Sequence, residues 1–80
     1  MGGKRTRDGI SIKNILKSAR LAGAEIREGK NHPYMITLRN SRPCPLATST
    51  DARRMVVPYI AQTTGRSTSE VYRCLREGIW

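Results

Sequence analysis

The sequence predicts an α+β domain with one helix, then a three-stranded antiparallel sheet, then one or two C-terminal helices. Two observations predict this class. Apolar residues recur at helical spacing from residue 11 to residue 23, and from Ala24 the pattern changes to short alternating segments separated by turn residues. Helix-capping signals then reappear from Ser49 onward. A chain of 80 residues has room for one such domain.

The first helix is predicted from Ser11 to Gly23. Ser11 can cap its start, and Gly23 stands where a left-handed residue ends many helices. Lys13, Lys17 and Arg20 fall on the outward side, and we expect Lys13 and Lys17 to contact phosphate. The apolar face consists of Ile12, Ile15, Leu16, Ala19 and Ala22.

Three short strands are predicted next. The first covers residues 24–28 and ends in the turn-like triplet Gly29-Lys30-Asn31. The second covers residues 32–39, with its even-numbered apolar residues on one face. The third covers residues 43–47, and because its two prolines cannot donate hydrogen bonds to a neighbouring strand, we expect it at the edge of the sheet.

A second helix is predicted from Ala52, after a choice of capping residues at 49–51. Pro58 either kinks this helix or marks the first turn of another, and the segment ends at Gly65. The expected apolar face consists of Met55, Val56, Tyr59 and Ile60.

A last helix follows Ser67-Thr68-Ser69-Glu70, which fits a capping box. Gly78 is expected to end it, and Trp80 to pack on the core rather than stack on a base. The apolar face of this helix consists of Val71, Cys74 and Leu75.

The charge of the chain indicates the class of its partner. Fifteen Lys and Arg residues against six Asp and Glu give a net charge of +9. So much like charge on a small domain is self-repelling, and a polyanionic partner relieves the repulsion and releases counterions as it binds. We therefore expect nucleic acid as the partner. Residues 1–10, with three Gly and three basic residues, are expected to form a flexible basic arm before a single domain over residues 11–80.

The sequence shows neither membrane nor metal signals. No apolar run approaches the roughly 18 residues of a membrane span, and the basic start leads into an amphipathic stretch rather than a signal peptide. We therefore expect a cytoplasmic protein without a membrane partner. Cys44 and Cys74 share no short metal-binding spacing, so we expect both to be small core residues and expect no metal or cofactor.

Two separated stretches resemble one known family. They are Gly29-Lys30-Asn31-His32, at the start of the predicted second strand, and residues 49–54, at the entry to the second helix. Here the sequence resembles the HicA-type toxins, small proteins with a double-stranded-RNA-binding-like (dsRBD-like) fold, and the order of elements from Ile12 to about Ile60 agrees. The resemblance implies a metal-independent endoribonuclease, an mRNA interferase, with His32 as its catalytic residue and an antitoxin as a further partner.

The chemistry expected of His32 is proton transfer. Cleaving RNA at its 2′-hydroxyl needs a group that exchanges a proton near neutral pH, and an imidazole with a reference pKa of about 6.5 suits that role. Lys30 could stabilise the charge of the transition state. The sequence departs from the family pattern, because one extra residue separates Gly29 from His32, Pro33 follows, and no second His is present to complete an acid–base pair. A His32 that only contacts phosphate or solvent is the alternative.

The segment from residue 58 to residue 76 resembles a helix-turn-helix. Gly65 permits a left-handed turn between two helices, whereas Arg66 departs from the usual apolar residue after it. The positions expected to be buried are Ile60, Ala61, Val71 and Cys74. A plain helical hairpin packed on the sheet is the alternative. Hydroxyl and guanidinium groups suit base edges and phosphates, and the residues left outward are Ser67, Thr68, Ser69, Tyr72, Arg73 and Arg76.

From the sequence, RNA binding by a HicA-like protein is favoured over DNA. The residues expected to bind phosphate are Lys13, Lys17, Lys30, Arg53 and Arg54. The first alternative is a helix-turn-helix DNA-binding regulator that uses Arg66, Ser67, Ser69, Tyr72, Arg73 and Arg76. The second is a basic inhibitor that binds a partner protein and does not bind nucleic acid tightly at physiological salt.

Overall fold

The chain folds in the predicted order of one helix, three strands and two helices, which confirms the α+β class. The computed structural model describes residues 3–29, 34–39 and 41–80. Their elements are α1 (Ile12–Leu21), β1 (Glu25–Glu28), β2 (Tyr34–Thr37), β3 (Cys44–Leu46), α2 (Ala52–Thr64) and α3 (Thr68–Glu77). The phosphate-binding candidate Lys30 and the catalytic candidate His32 lie outside the described residues.

Polar side chains cap the start of each helix. Ser11, Asp51 and Ser67 each accept a hydrogen bond from the backbone amide three residues later, at 3.2 to 3.3 Å. Gly65 and Gly78 end α2 and α3 in the left-handed region, with φ of 82° and 68°. The predicted capping residues are therefore confirmed, and Asp51 is the one used among residues 49–51. Pro58 lies inside α2, which continues as one helix.

The three strands form an antiparallel sheet in the order β1-β2-β3. Ile36 in the central strand lies opposite Ile26 and Cys44, on the face that the helices cover, and it is fully buried. On the opposite face, Arg27 and Pro45 are exposed. One side of the sheet therefore contributes to the core and the other faces solvent.

β3 lies at an edge of the sheet, as its prolines predicted. Pro45 is paired in register with Met35, and because Pro45 has no N–H, this pair is the non-hydrogen-bonded type in which backbone groups point away from the neighbouring strand. The next outward amide, that of Ala47, donates to the hydroxyl of Thr50 at 2.9 Å.

The helices pack over the covered face of the sheet. α1 contacts β1, α2 contacts β3, and α3 packs against both α1 and α2. Two side chains of α1 hydrogen-bond to the end of α3 and to the residues after it. Asn14 Nδ2 donates to the Arg76 carbonyl at 2.9 Å, and Ser18 Oγ donates to the Ile79 carbonyl at 2.6 Å. The fully buried side chains that join the layers include Ile15, Ile36, Leu46, Ile60, Val71 and Leu75.

The buried face of α2 differs from the predicted one. Met55, expected in the core, is 53% exposed. The buried residues are Ala52, Val56, Val57, Ile60 and Ala61. The physical reason is that α2 meets two neighbours, the sheet and α3, so its apolar surface turns toward both and leaves Met55 outside.

Residues 4–10, expected as part of a flexible arm, pack on the domain. We call them the N-terminal segment. Thr6 and Ile10 are each only 4% exposed, and the Ile12 amide donates to the Lys4 carbonyl at 3.0 Å. These contacts hold residues 4–10 against the domain. The flexibility of residues 1–10 as a whole stays a prediction. Within the described ranges, none of the helices has both the length and the apolar composition required to cross a bilayer.

Candidate nucleic-acid interface

α2, the following turn and α3 form the two-helix unit predicted from residues 58–76. Gly65 turns the chain after α2, and its amide donates to the Ala61 carbonyl at 2.8 Å. Ser67 then starts α3, so three residues separate the helices. The positions expected to be buried are buried in fact: Ile60, Ala61, Val71 and Cys74. Two helices joined by a short turn at Gly65 are therefore present, as the helix-turn-helix and the plain helical hairpin both predict.

The outward face of α3 carries hydroxyl and basic groups. Ser69, Arg73 and Arg76 are exposed, and Tyr72 is half-buried beside them. Spacings of three and four residues place these side chains on one side of the helix. We call Ser69, Tyr72, Arg73 and Arg76 the α3 face.

Two arginines lie over the ring of Tyr72. The guanidinium carbon of Arg53, from the first turn of α2, is 5.2 Å from the ring centre, and that of Arg76 is 5.4 Å from it. Both distances are within the roughly 6 Å of a cation–π contact. The aromatic ring orders two flexible cations, while their N–H groups stay available to an anion. We call these three residues the arginine–tyrosine cluster.

Depressions lie on both sides of Tyr72. The first is between α2 and α3 and is lined by Arg53, Val57, Thr68, Ser69 and Tyr72. The second extends toward the N-terminal segment, and Arg5, Asn14, Tyr72 and Arg76 are among its lining residues. The arginine–tyrosine cluster therefore sits at the centre of one continuous surface that includes residues of α1, α2 and α3.

Carboxylates border the α3 face beside Arg73. Glu70 and Glu77 are both exposed and lie three and four residues from Arg73, so they are its neighbours on the helix surface. The Glu70 carboxylate is 3.9 Å from the Arg66 guanidinium. A polyanion would therefore meet basic groups at the arginine–tyrosine cluster and repulsion beyond Arg73.

Arg66, expected among the outward residues, packs instead on the end of the chain. Its guanidinium carbon is 4.0 Å from the centre of the Trp80 ring, and its Nη1 donates to the Trp80 carbonyl at 3.3 Å. Trp80 itself packs against the core, as expected. The contact explains why a basic residue stands where an apolar one usually follows the turn glycine, since the arginine stem and ring fill that position.

The other predicted phosphate contacts are spread over the surface. Arg54 does not line the depressions beside Tyr72 but shares a different one with Arg7 and the exposed Met55. Lys13 and Lys17 are exposed on α1 and line neither depression beside Tyr72. The structure thus unites Arg53 with the α3 face and separates the other described candidates from it.

Two functional candidates were missed from the sequence, Arg5 and Asp8. Asp8 Oδ1 accepts from the Ala52 amide at 2.9 Å and Oδ2 from the Arg53 amide at 3.0 Å. The Asp8-Gly9 pair is a turn signal, yet nothing in it indicates a partner more than forty residues away. Burial raises the pKa of Asp8, but hydrogen bonds from the Thr6 hydroxyl and these amides outweigh it and leave the pKa below its ordinary value of 3.8.

The cysteines are core residues, as predicted. Cys44 and Cys74 are both buried free thiols, and burial raises the pKa of the Cys44 thiol, which favours its uncharged form. Among the described residues, no three His, Cys, Asp or Glu side chains are grouped as a metal site would require.

Comparison with known proteins gives no relative. No family model, no curated protein and no solved structure matches the chain. The function is therefore inferred from the geometry and charge of this surface.

Proposed function

We propose that the protein binds duplex DNA, with α3 as the helix that faces the double helix. The observation that carries the proposal is the arginine–tyrosine cluster at the edge of the α3 face, on two helices joined by a short turn at Gly65. An α-helix with its side chains is about 10–12 Å in diameter and fits the major groove, which is about 12 Å wide.

The chemistry of the α3 face suits both kinds of contact that such a protein needs. Arg73 and Ser69, exposed at the middle and start of α3, can reach base edges, where guanidinium pairs with guanine and hydroxyl with either kind of base. Arg53 and Arg76, ordered on the Tyr72 ring, suit backbone phosphates. The net charge of +9 supplies the long-range attraction.

The test is binding to DNA and RNA of matched sequence, each as duplex and as single strand, over a salt series. We expect duplex DNA to bind most tightly, with a slope of log K against log salt of about −0.9 for each phosphate contacted. Arg73→Ala should weaken that binding, whereas Arg27→Ala, which removes the same charge from the exposed face of the sheet, should change it little.

Two outcomes would contradict the proposal. Equal effects of Arg73→Ala and Arg27→Ala would place the binding surface elsewhere. An absence of tight binding to any nucleic acid at physiological salt would instead favour a basic inhibitor of a partner protein.

A second candidate is RNA binding by a HicA-like protein, with an antitoxin as partner. The order of helix, three-stranded antiparallel sheet and helix from Ile12 to Thr64 favours it, because this is the order that the resemblance implies. In that case His32 would be the catalytic residue and Lys30 would assist. Incubation of RNA with wild type and with His32→Ala is the test: cleavage that disappears in the variant would favour this candidate. RNA left intact by both would exclude the endoribonuclease, and weaker binding to RNA than to duplex DNA in the salt series would then exclude the RNA-binding candidate.

A further inference from the structure

The N-terminal segment folds on itself into a tight turn. The Thr6 amide donates to the Ile10 carbonyl at 2.9 Å, and the Thr6 hydroxyl accepts from the Ile10 amide at 3.1 Å. Gly9 closes the turn at a φ of 85°, and its amide donates to the Thr6 carbonyl. Since Ile10 is buried in the core, the turn is anchored at its C-terminal end.

Asp8 fastens this turn to the N-terminus of α2. Its carboxylate accepts three hydrogen bonds, from the Thr6 hydroxyl at 2.6 Å and from the amides of Ala52 and Arg53. The Arg7 amide adds a bond of 2.9 Å to the Thr50 carbonyl. First-turn amides of a helix lack partners within the helix, so Asp8 satisfies two groups that would otherwise need water.

The docked turn places Arg5 beside the arginine–tyrosine cluster and Arg7 away from it. Arg5 is exposed, and its Nη1 donates to the Gly9 carbonyl at 3.0 Å, which directs the side chain along the turn. It lines the same depression as Tyr72 and Arg76. Arg7, also exposed, lines a separate depression together with Arg54 and lines neither depression beside Tyr72. The basic surface therefore continues beyond the α3 face at Arg5.

We propose that Arg5 contacts a backbone phosphate of the same DNA duplex, beside the stretch that α3 faces. The inference rests on the proposed function and deepens it, because it extends the bound site beyond the length that α3 alone covers. Guanidinium groups match phosphate oxygens in geometry and charge. The nearby negative charge of Asp8 is held by the amides of α2, at the end of the helix where a negative charge is most stable.

The experiment measures duplex DNA affinity over a salt series for Arg5→Gln and for two controls, Arg7→Gln in the same segment and Arg27→Gln on the sheet. Glutamine removes the charge and keeps a side chain that can donate hydrogen bonds. We expect Arg5→Gln to reduce the magnitude of the salt slope by about 0.9. Arg7→Gln and Arg27→Gln should leave the slope unchanged.

Arg73→Ala separates this proposal from the proposed function. If Arg73→Ala weakens binding while Arg5→Gln behaves as the two controls do, Arg5 makes no phosphate contact and the inference fails alone. If Arg73→Ala also behaves as the controls do, the proposed function fails with it. Thermal unfolding of each variant verifies that the fold is retained.

Discussion

The guanidinium of Arg66 lies 4.0 Å from the centre of the Trp80 ring and also donates to the Trp80 carbonyl. Arg66, the residue after the turn glycine, thus contacts Trp80, which follows the C-terminal end of α3. A basic residue that the sequence places on a binding surface serves here as a packing residue, and the consequence can be measured.

We expect Arg66→Ala to lower the free energy of unfolding by about 1 kcal/mol, since it removes the cation–π contact and the hydrogen bond. In a domain of this size that loss corresponds to a fall in Tm of roughly 4–8 °C. Arg73→Ala is the control, because Arg73 is exposed and its loss should change Tm little. An unchanged Tm in Arg66→Ala would show that the contacts with Trp80 do not stabilise the fold.

Tyr72 should matter for binding through its ring and not through its hydroxyl. Tyr72→Leu removes the ring over which Arg53 and Arg76 lie, and we expect DNA affinity to fall by roughly fivefold, or about 1 kcal/mol. Tyr72→Phe keeps the ring and should bind nearly as wild type does. Fluorescence anisotropy with a labelled duplex measures both, and a loss in Tyr72→Phe as large as in Tyr72→Leu would show that the hydroxyl is required instead.

Gly78→Ala should destabilise the protein more than Gly65→Ala. Both glycines have positive φ, which costs an Ala roughly 1–2 kcal/mol. A Cβ on Gly65 meets no atom within 4 Å, whereas one on Gly78 comes 3.0 Å from Oδ1 of Asn14, the side chain that joins α1 to α3. We expect an additional cost of about 1 kcal/mol for Gly78, measured by urea unfolding.

Asn14→Ala provides the control for that comparison. Removing the Asn14 side chain removes the atom that the new Cβ would meet. In the Asn14→Ala background the two glycine variants should therefore be destabilised to similar extents. A difference that persists would assign the extra cost to the backbone at Gly78 alone.

Asp8 should stabilise the fold in a pH-dependent way. Burial raises the pKa of its carboxyl, but the hydrogen bonds to it hold the pKa below 3.8, so the charged form is favoured in the folded state. The stabilisation is present above about pH 4 and is lost as the pH falls through the lower, folded-state pKa. We expect Asp8→Ala to cost about 1 kcal/mol at neutral pH, by analogy with loss of a helix cap, and less near pH 2.

Urea unfolding of wild type and Asp8→Ala at both pH values measures this difference. Asp8→Asn is the matched variant, because it keeps one acceptor oxygen but cannot titrate. Its stability relative to Asp8→Ala should not change with pH. A wild-type advantage that is equal at both pH values would contradict the role of the charged carboxylate.

Local signals predicted the elements of this fold well. The apolar face of α1, the caps Ser11 and Ser67, and the edge position of β3 all follow from spacing and from the chemistry of single residues within a few positions. The buried positions of the α2–α3 unit, Ile60 and Val71 among them, followed from spacing in the same way.

Contacts between distant residues were not predictable from the sequence. Met55 lies outside the core because α2 packs on two neighbours at once, and no periodicity within the helix shows how many neighbours it has. Asp8 meets Ala52 across forty-four residues of chain, and Arg66 meets Trp80 across fourteen. Both pairings depend on how the folded elements pack together. The sequence pattern of a single helix or strand therefore predicts neither of them.

The β3 edge of the sheet limits how copies of this protein can associate. Position 45 of β3 has no amide proton, and the amide of Ala47 is already taken by Thr50. A strand from another molecule laid along this side would find acceptors but almost no donors, so growth of the sheet from one copy to the next is blocked there. Several copies could therefore bind side by side on one polyanion without forming a continuous intermolecular sheet through β3.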